Sequence, residues 1–458
     1  MFRPARRTGR PTVLSLATGL LATLATAALI TTSAPGASAR AANPVTPGDF
    51  TGYGFDQCQA PSQQTMNRWR RHSPFWAVGI YISGDSRACR DQTNLSPAWV
   101  GTQLARGWRL LPITLGPQAS CQPRFPRYGD DETIDPRLGR HKNYLPARRQ
   151  GKAEATKTVA AAQALGIVPG STMYYDLEGF DLGNTACRES ALAFLTAWTN
   201  QIHALDYVSG VYSSAGSGIK MLDDARVQRP GQFALPDQIW IARWDGRADT
   251  STSYIRADGW MPHARVKQYQ GGHDETWGRA RVNIDRDFLD VGRGSVAPRE
   301  SHCPKTVVNH RDYPKLHPAN DHYTPAPMLV KTLQCLLQEH DAYTGKVTGR
   351  YDADTVAAAH AWQSAHGLAA GRAWNRRSWM TLLADGGRPL LKFGSASSDV
   401  RRLQRTLDAA SRGTQLRVSG VFDAATQSAL RVYQDGVGLP IDGIAAGPTW
   451  SALQAARR

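Results

Sequence analysis

Residues 330–450 carry one sequence twice. Val330-Lys331-Thr332-Leu333-Gln334 recurs as Val400-Arg401-Arg402-Leu403-Gln404, and Val347-Thr348-Gly349-Arg350-Tyr351-Asp352 recurs as Val418-Ser419-Gly420-Val421-Phe422-Asp423. Trp362-Gln363 matches Tyr433-Gln434, Gly367-Leu368 matches Gly438-Leu439, and Trp379 matches Trp450. The offset is 70 residues at the start and 71 thereafter, so the copies differ by one inserted loop residue. Each copy must therefore form the same small unit and bury the same apolar positions. The pattern is helical, with Asp352 and Asp423 placed to cap exposed helical N–H groups and Gly367 and Gly438 placed at helix ends. Leu333, Leu403, Trp362, Tyr433, Trp379 and Trp450 read as core.

The whole chain has 458 residues, enough for two or three domains. Residues 328–386 and 390–458 hold the two copies. Residues 293–327 read as a linker, since Pro298, Pro304, Pro314, Pro318, Pro325 and Pro327 break any regular element. Residues 50–292 form the first domain. It offers eight short strands: Tyr53–Asp56, Ala77–Ile82, Arg109–Thr114, Thr172–Glu178, Tyr207–Tyr212, Gln238–Arg243, Arg265–Tyr269 and Val282–Asp285. Helical stretches separate the early ones, near 62–72, 94–106, 151–165 and 188–205, while the spacing after the sixth strand is too irregular for clean helices. Strands alternating with helices predict an α/β fold with a mainly parallel sheet. Eight strands favour an irregular TIM-like (β/α) barrel over the runner-up, an open doubly wound sheet.

Residues 1–39 read as a signal peptide. Arg3, Arg6, Arg7 and Arg10 form its basic region, Val13 to Ile30 its apolar region, and Ala37-Ser38-Ala39 its cleavage site. Export by the general route or the twin-arginine route follows, the latter hinted at by Arg6-Arg7. A retained anchor is the alternative, and no stable membrane insertion is expected after cleavage. Cys58, Cys89, Cys121, Cys187, Cys303 and Cys335 make an even number, as disulfides in an exported chain require. Sequence alone leaves about fifteen full pairings open. Their grouping favours two bridges in the first domain and Cys303 with Cys335. The net charge of +16 favours anionic partners. Wall polymers are expected rather than nucleic acid, because no basic run or nucleic-acid motif is present. No metal is expected, because cysteine and histidine spacings do not match a metal site, and no cofactor is expected. A monomer is expected.

The strongest chemical signal is Tyr174-Tyr175-Asp176-Leu177-Glu178. Residues i and i+2 of a strand share a face, so Asp176 and Glu178 point the same way with Tyr174 beneath them. They stand at the C-terminal end of a strand, where a barrel carries its active site. Crowded carboxylates repel when ionised, so one tends to keep its proton and can act as a general acid. Asp56 and Asp285 close other strands. In a barrel the first and last strands are neighbours, so these two acids should meet. Asp181 and Asp287 read as surface acids. Tyr81, Tyr212, Trp244 and Tyr269 lie at or near strand ends, where aromatic faces can stack on sugars, and Gln268 can hydrogen-bond one.

Gly54-Phe55-Asp56, Asp176-Leu177-Glu178, Gly210-Val211-Tyr212-Ser213, Ile239-Trp240-Ile241-Ala242, Lys267-Gln268-Tyr269 and Ile284-Asp285 occur in this order. The series resembles an actinobacterial glycoside-hydrolase-like family related to the family-25 lysozymes, over roughly residues 50–292. The resemblance implies an irregular barrel of five β/α units and three further strands. By motif, Glu178 resembles the general acid and Asp176 the acid that stabilises the reacting centre or orients an N-acetyl group. Asp56 and Asp285 resemble supporting acids, and net retention is implied. Two departures stand out: the polar stretch Gln122 to Lys152 has no clear counterpart, and Cys58, Cys89, Cys121 and Cys187 crowd the loops beside the expected cleft. The C-terminal copies resemble the three-helix peptidoglycan-binding domain. The second has its Asp442-Gly443 turn, whereas the first has Gly371-Arg372 and reads as mainly structural.

The sequence thus points to a secreted, wall-directed glycoside hydrolase acting on peptidoglycan or a related amino-sugar glycan. The alternative is a non-catalytic protein that binds wall glycan. A peptidase or amidase fits poorly, since there is no nucleophile elbow, Cys/His pairing or zinc motif.

Overall fold

In the computed structural model, which describes residues 42–411, 413 and 415–458, each of the eight stretches expected as a strand contains one, although the fourth ends at Asp176, two residues before the expected Glu178. The expected signal peptide lies outside the described residues. The order is β1 (Phe50–Asp56), α1 (Gln63–His72), β2 (Ala77–Ser83), α2 (Pro97–Ala105), β3 (Arg109–Thr114), the short β4 (Gln118–Ala119) and β5 (Thr133–Ile134), then α3 (Leu145–Ala164). There follow β6 (Thr172–Asp176), α4 (Thr185–Ala204), β7 (Val208–Ser214), α5 (Lys220–Gln228), β8 (Gln238–Ala242), β9 (Ala264–Trp277) and β10 (Ala280–Val291). The eight long strands close in the order β1-β10-β9-β8-β7-β6-β3-β2. This closed barrel sets aside the open sheet. Five strand–helix units precede three strands with no α-helix between them, as the resemblance implied.

Local chemistry explains the elements. Ser62 and Ser96 accept the N–H groups of Thr65 and Trp99, each at 3.2 Å, and so cap α1 and α2. Helix α3 starts six residues before the expected Gly151, at Leu145. Pro146 lies in its first turn, where a missing N–H costs nothing. Strands β9 and β10 form a hairpin through Gly278 and Arg279, both left-handed (φ +56° and +64°), the backbone a two-residue hairpin turn favours. The hairpin makes β10 antiparallel to both its neighbours, β9 and β1.

The barrel interior is filled by Phe50, Leu111, Ile113, Tyr174, Trp240 and Leu289, so the barrel is a packed core rather than a pore. Gly210 makes room for Tyr174, since a Cβ there would lie 2.4 Å from its ring. The cysteines pair as Cys58–Cys89, Cys121–Cys187 and Cys303–Cys335.

The C-terminal copies each form three helices: α6 (Pro327–Glu339), α7 (Ala353–Ala365) and α8 (Arg376–Ala384), then α9 (Ser398–Ala410), α10 (Ala424–Gly436) and α11 (Gly447–Gln454). Asp352 and Asp423 cap α7 and α10 through the N–H groups of Thr355 and Thr426 at 3.0 and 2.9 Å. The repeated Leu and aromatic positions share one core. Segment 293–326 holds no helix or strand, but it is not free of the helices: Val308, Tyr313 and Leu316 are buried in their core. The two copies share a further feature that the proline pattern hides. Trp379 Nε1 donates to the Pro314 carbonyl at 2.9 Å, and Trp450 Nε1 donates to the Pro389 carbonyl at 2.8 Å. Leu316 bridges to Trp374 and Leu391 to Ala445. Each copy therefore begins with a short strap over its last helix.

The second strap also meets the barrel. Lys392 is fully buried, and its Nζ donates to the carbonyls of Arg70 and Ser73 at 3.0 and 2.9 Å. These lie at the C-terminal end of α1, where carbonyls lack helical partners and a cation is favoured. The same Nζ stands 4.3 Å from the ring centre of Trp76, whose Nε1 donates to Ser395 Oγ at 3.2 Å. Barrel and repeats form one unit over Asn43–Arg458.

Candidate active site

Two acids leave the barrel together on β6. Asp176 is its last residue, and the chain runs on through Glu178 under the grip of Gln118. The Gln118 amide donates to the Asp176 carbonyl and accepts the Glu178 N–H, both at 2.8 Å. A side chain thus extends the ladder beyond the strand and fixes both acids. Asp56 ends β1 and pairs directly with Asp285 across the antiparallel ladder. Sequence placed Asp285 at a strand end. It lies instead inside β10, which continues to Val291 and meets Asp56 because it runs the opposite way. Gly79 makes this corner possible, since a Cβ there would fall 2.5 Å from that of Asp56.

Gln268 joins the two halves. Its Nε2 donates to Asp56 Oδ2 at 2.9 Å and Asp285 Oδ2 at 3.3 Å, while its Oε1 accepts from the Tyr212 hydroxyl at 3.0 Å and Trp244 Nε1 at 2.9 Å. The Tyr81 hydroxyl donates to Asp176 Oδ2 at 3.1 Å. Asp56, Asp176, Glu178, Asp285, Tyr81, Tyr212, Trp244 and Gln268 therefore meet at one rim. Tyr269 does not join them. It follows Gln268 in β9 and so takes the opposite face, where it neighbours Arg286 and Tyr53.

Asp287 corrects the sequence reading. It is fully buried rather than on the surface, and it accepts the Trp240 indole N–H at 2.9 Å. It lies two residues beyond Asp285 on the same strand, so the rule that paired Asp176 with Glu178 also places it inward. Asp287 lies close enough to Asp56 for the charge of Asp56 to add to burial in raising the Asp287 pKa.

The acids share too little water to ionise together. Burial and the charge of Asp285 push Asp56 up to about 8. Burial and Glu178 raise Asp285 to about 6. Burial first, then Glu178, raises Asp176 well above the carboxylate range, and burial and Asp56 do the same to Asp287. Burial raises Glu178 as well, but Arg124 and Arg127 pull it back. Within the Asp176–Glu178 pair the first proton belongs on Asp176, and Glu178 is the more readily ionised member. Asp176 Oδ1 is buried without a protein partner.

Glu178 lies where two cavities meet. One, of about 260 Å³, holds Asp56, Tyr81, Arg87, Arg127, Glu178 and Asp285. The other, of about 380 Å³, is walled by Glu178, Tyr212, Arg243, Trp244 and Tyr254. Trp244 is 65% exposed although its indole N–H is bonded, and it lies against Gly271, where a Cβ would come within 2.4 Å of the ring. An exposed, fixed aromatic face is a platform for the C–H face of a sugar. Tyr254, Arg87 and Arg127 escaped the sequence reading because they sit on loops with no periodicity to mark them. Among the described residues one trio of metal-type side chains lies close together, Cys303, Cys335 and Glu339. Its cysteines form a disulfide, which removes the thiolates a metal would take.

Residues 67–289 match the Rv2525c-like, glycoside hydrolase-like domain family, and residues 329–371 and 396–453 match the peptidoglycan binding domain family. Among solved structures, the Mycobacterium tuberculosis Tat-secreted protein Rv2525c in complex with L-tartrate is 15% identical, with a TM-score of 0.34 over 52% of this chain and 95% of its own. A family 25 glycosyl hydrolase from Bacillus anthracis is 11% identical, with a TM-score of 0.31 over 53% and 91%. The modular autolysin LytC from Streptococcus pneumoniae is 11% identical, with a TM-score of 0.32 over 52% and 46%. No curated protein is significantly similar to the chain.

Proposed function

The chain carries an Rv2525c-like, glycoside hydrolase-like domain followed by peptidoglycan-binding repeats, and from that premise we propose that it is a secreted glycoside hydrolase of the cell wall. It cleaves peptidoglycan or a related β-linked amino-sugar glycan. The repeats hold it to the wall, and three disulfides suit an oxidising compartment outside the cytoplasm. The observation that carries this reading is the position of Glu178 on both cavities. A sugar chain lying through the two lobes brings a glycosidic oxygen past that carboxyl, and Trp244 stacks on the sugar to one side.

Glu178 then protonates the leaving oxygen, the step that glycoside hydrolysis requires. Asp176 lies beside Glu178 beneath the cleft, and its buried Oδ1 has no protein hydrogen-bond partner. In its protonated form it donates a hydrogen bond to an N-acetyl oxygen; ionised, it stabilises the positive centre. Asp56, Asp285 and Asp287 hold the floor, with Gln268 linking the first two to Tyr212 and Trp244. One observation favours the second reading, a wall-binding protein without turnover: Asp176 is so deeply buried that its charge is suppressed.

The test incubates the mature protein and its Glu178→Gln variant with purified peptidoglycan, followed by mass spectrometry of soluble fragments. New reducing ends from the native form alone support hydrolysis with Glu178 as acid. Wall binding by both forms with no fragments from either sinks hydrolysis of this substrate and leaves the binding protein.

A further inference from the structure

The loops departing most from the lysozyme pattern build one wall of the cleft. The loop after β2 carries Arg87 and is pinned to the end of β1 by Cys58–Cys89. The loop after β3 carries Arg127 and is pinned to α4 by Cys121–Cys187. The loops are also tied to each other. Arg127 Nη1 donates to the Ser86 carbonyl at 3.0 Å, and Arg90 forms ion pairs with Asp130 and Asp131 at 3.0 and 2.9 Å. The Arg90 guanidinium also lies 4.2 Å from the ring centre of Tyr128.

The three arginines are used differently. Arg90 spends its charge on carboxylates between the loops. Arg87 and Arg127, which line the cavity, donate guanidinium hydrogen bonds only to carbonyls among the described residues, and Arg127 also lies 4.9 Å from the ring centre of Phe125. Arg87 Nε donates to the Gly84 carbonyl at 2.8 Å and its Nη1 to that of Tyr81 at 3.4 Å. These bonds fix the direction of each guanidinium and leave N–H groups unused. Glu178, Asp56 and Asp285 line the same cavity, yet none of them bonds either arginine. A guanidinium held in place with spare donors matches a carboxylate, which it binds through two parallel N–H groups. Holding it by disulfides and loop ties in advance lowers the cost of ordering it on binding.

We propose that this cleft selects a glycan bearing a free carboxylate within a sugar or two of the bond at Glu178, with Arg87 and Arg127 as the residues that bind it. The inference rests on the glycan reading above and narrows its substrate class. Two sources supply such a group: the lactyl ether of an N-acetylmuramic acid whose peptide has been removed, and the ring carboxylate of a hexuronic acid. A strand with every lactyl group amidated by peptide lacks it, so a peptide-removing reaction must act first on peptidoglycan.

Titration calorimetry tests this with the full chain carrying Glu178→Gln, so that no ligand is consumed. The ligands are an N-acetylglucosamine–N-acetylmuramic acid tetrasaccharide with free lactyl groups, the same sugar with its carboxylates reduced to alcohols, a hexuronate tetrasaccharide, and neutral tetra-N-acetylchitotetraose. The acidic muramyl sugar should bind about tenfold more tightly than its reduced form. Adding Arg87→Gln and Arg127→Gln should make the two equal. Tight binding of the hexuronate assigns the preference to the carboxylate alone, and weak binding assigns it to the lactyl ether; both support the inference. Equal affinity for acidic and reduced sugars overturns it, as does a preference that survives loss of both arginines, while the glycan reading stands. Binding of none of the four sugars overturns both. Should the arginine variants fold poorly, the acidic and reduced ligands still decide on the chain that keeps both arginines.

Discussion

At the base of the barrel, one buried lysine is surrounded by partners: two carbonyls at the end of α1 and the ring of Trp76. At the rim, four acids, Asp56, Asp176, Glu178 and Asp285, lie together with Gln268, Tyr81 and Tyr212 among them, and a fifth, Asp287, lies beneath Asp56. Burial holds the charge down at both ends, but the base gives its lysine hydrogen-bond partners, whereas the rim leaves Asp176 Oδ1 and Asp287 Oδ2 without partners. A barrel serves chemistry at one end and stability at the other. Here the rim has a cost, because acids that resist ionisation when folded ionise freely when unfolded.

The base should therefore break first. Trp76→Ala removes an almost fully buried indole, its bond to Ser395 and the ring facing Lys392. A loss of about 4 kcal/mol is expected in denaturant unfolding. If stability falls by less than about 1 kcal/mol, the base is not a stabilising junction. The rim should behave in the opposite sense as pH changes. Asp56 and Asp285 have folded pKa values near 8 and 6, above the ordinary aspartate range. Their contribution is present in full below about pH 4, and it is lost as pH rises through 6 and then 8. Glu300, which burial raises but Arg405 and His302 bring down to about 2, works the other way, so total stability is the wrong readout. The difference between native chain and Asp56→Asn is the right one. The variant should gain several kcal/mol relative to the native chain between pH 4 and pH 8, up to about 5 kcal/mol for a shift of this size. A constant difference across that range would show that Asp56 ionises normally in the folded protein.

These two ends were not equally legible. The rim follows from local rules: Asp176 and Glu178 share a face because they are two apart, and the same rule covers Asp285 and Asp287 once β10 is known to continue. Reading Val282–Asp285 as a strand that stops made Asp287 look like a surface acid. The turn at Gly278 and Arg279, which reverses the last strand, carries no Asn-Gly or Asp-Gly signal. The base is invisible to such rules, because Lys392 and Ser73 are 319 positions apart. A lysine in a loop ahead of a helix reads as solvated, and only the shape of the barrel base buries it. The proline-bearing segment misleads for a related reason. Pro314 contributes a carbonyl, not an N–H, to its contact with Trp379, so breaking regular structure does not free it from the core.

Lys392→Met gives a finer test of the base. Methionine fills the same space, but it cannot donate to Arg70 and Ser73, while the cost of burying an amine disappears. These effects oppose, and a net loss of about 1 kcal/mol is expected by thermal unfolding. A gain would mean that Lys392 is retained for something other than stability.

The smallest effect concerns the proton on Glu178. As general acid, Glu178 must be protonated, so turnover falls as pH rises through its pKa. Burial holds that pKa up, and Arg124 and Arg127 hold it down, while Asp176, Asp56 and Asp285 feel its charge from the floor. Removing the charge in Arg127→Gln should move the alkaline limb of kcat/KM upward, by less than about one pH unit because Arg127 stands exposed at the cleft mouth. A limb that stays still or moves down would remove Arg127 from the electrostatics of Glu178. The limb of kcat reports the bound complex and should move less. A carboxylate on the substrate already neutralises the guanidinium there, so in the complex the rim gains the partner that the free protein lacks.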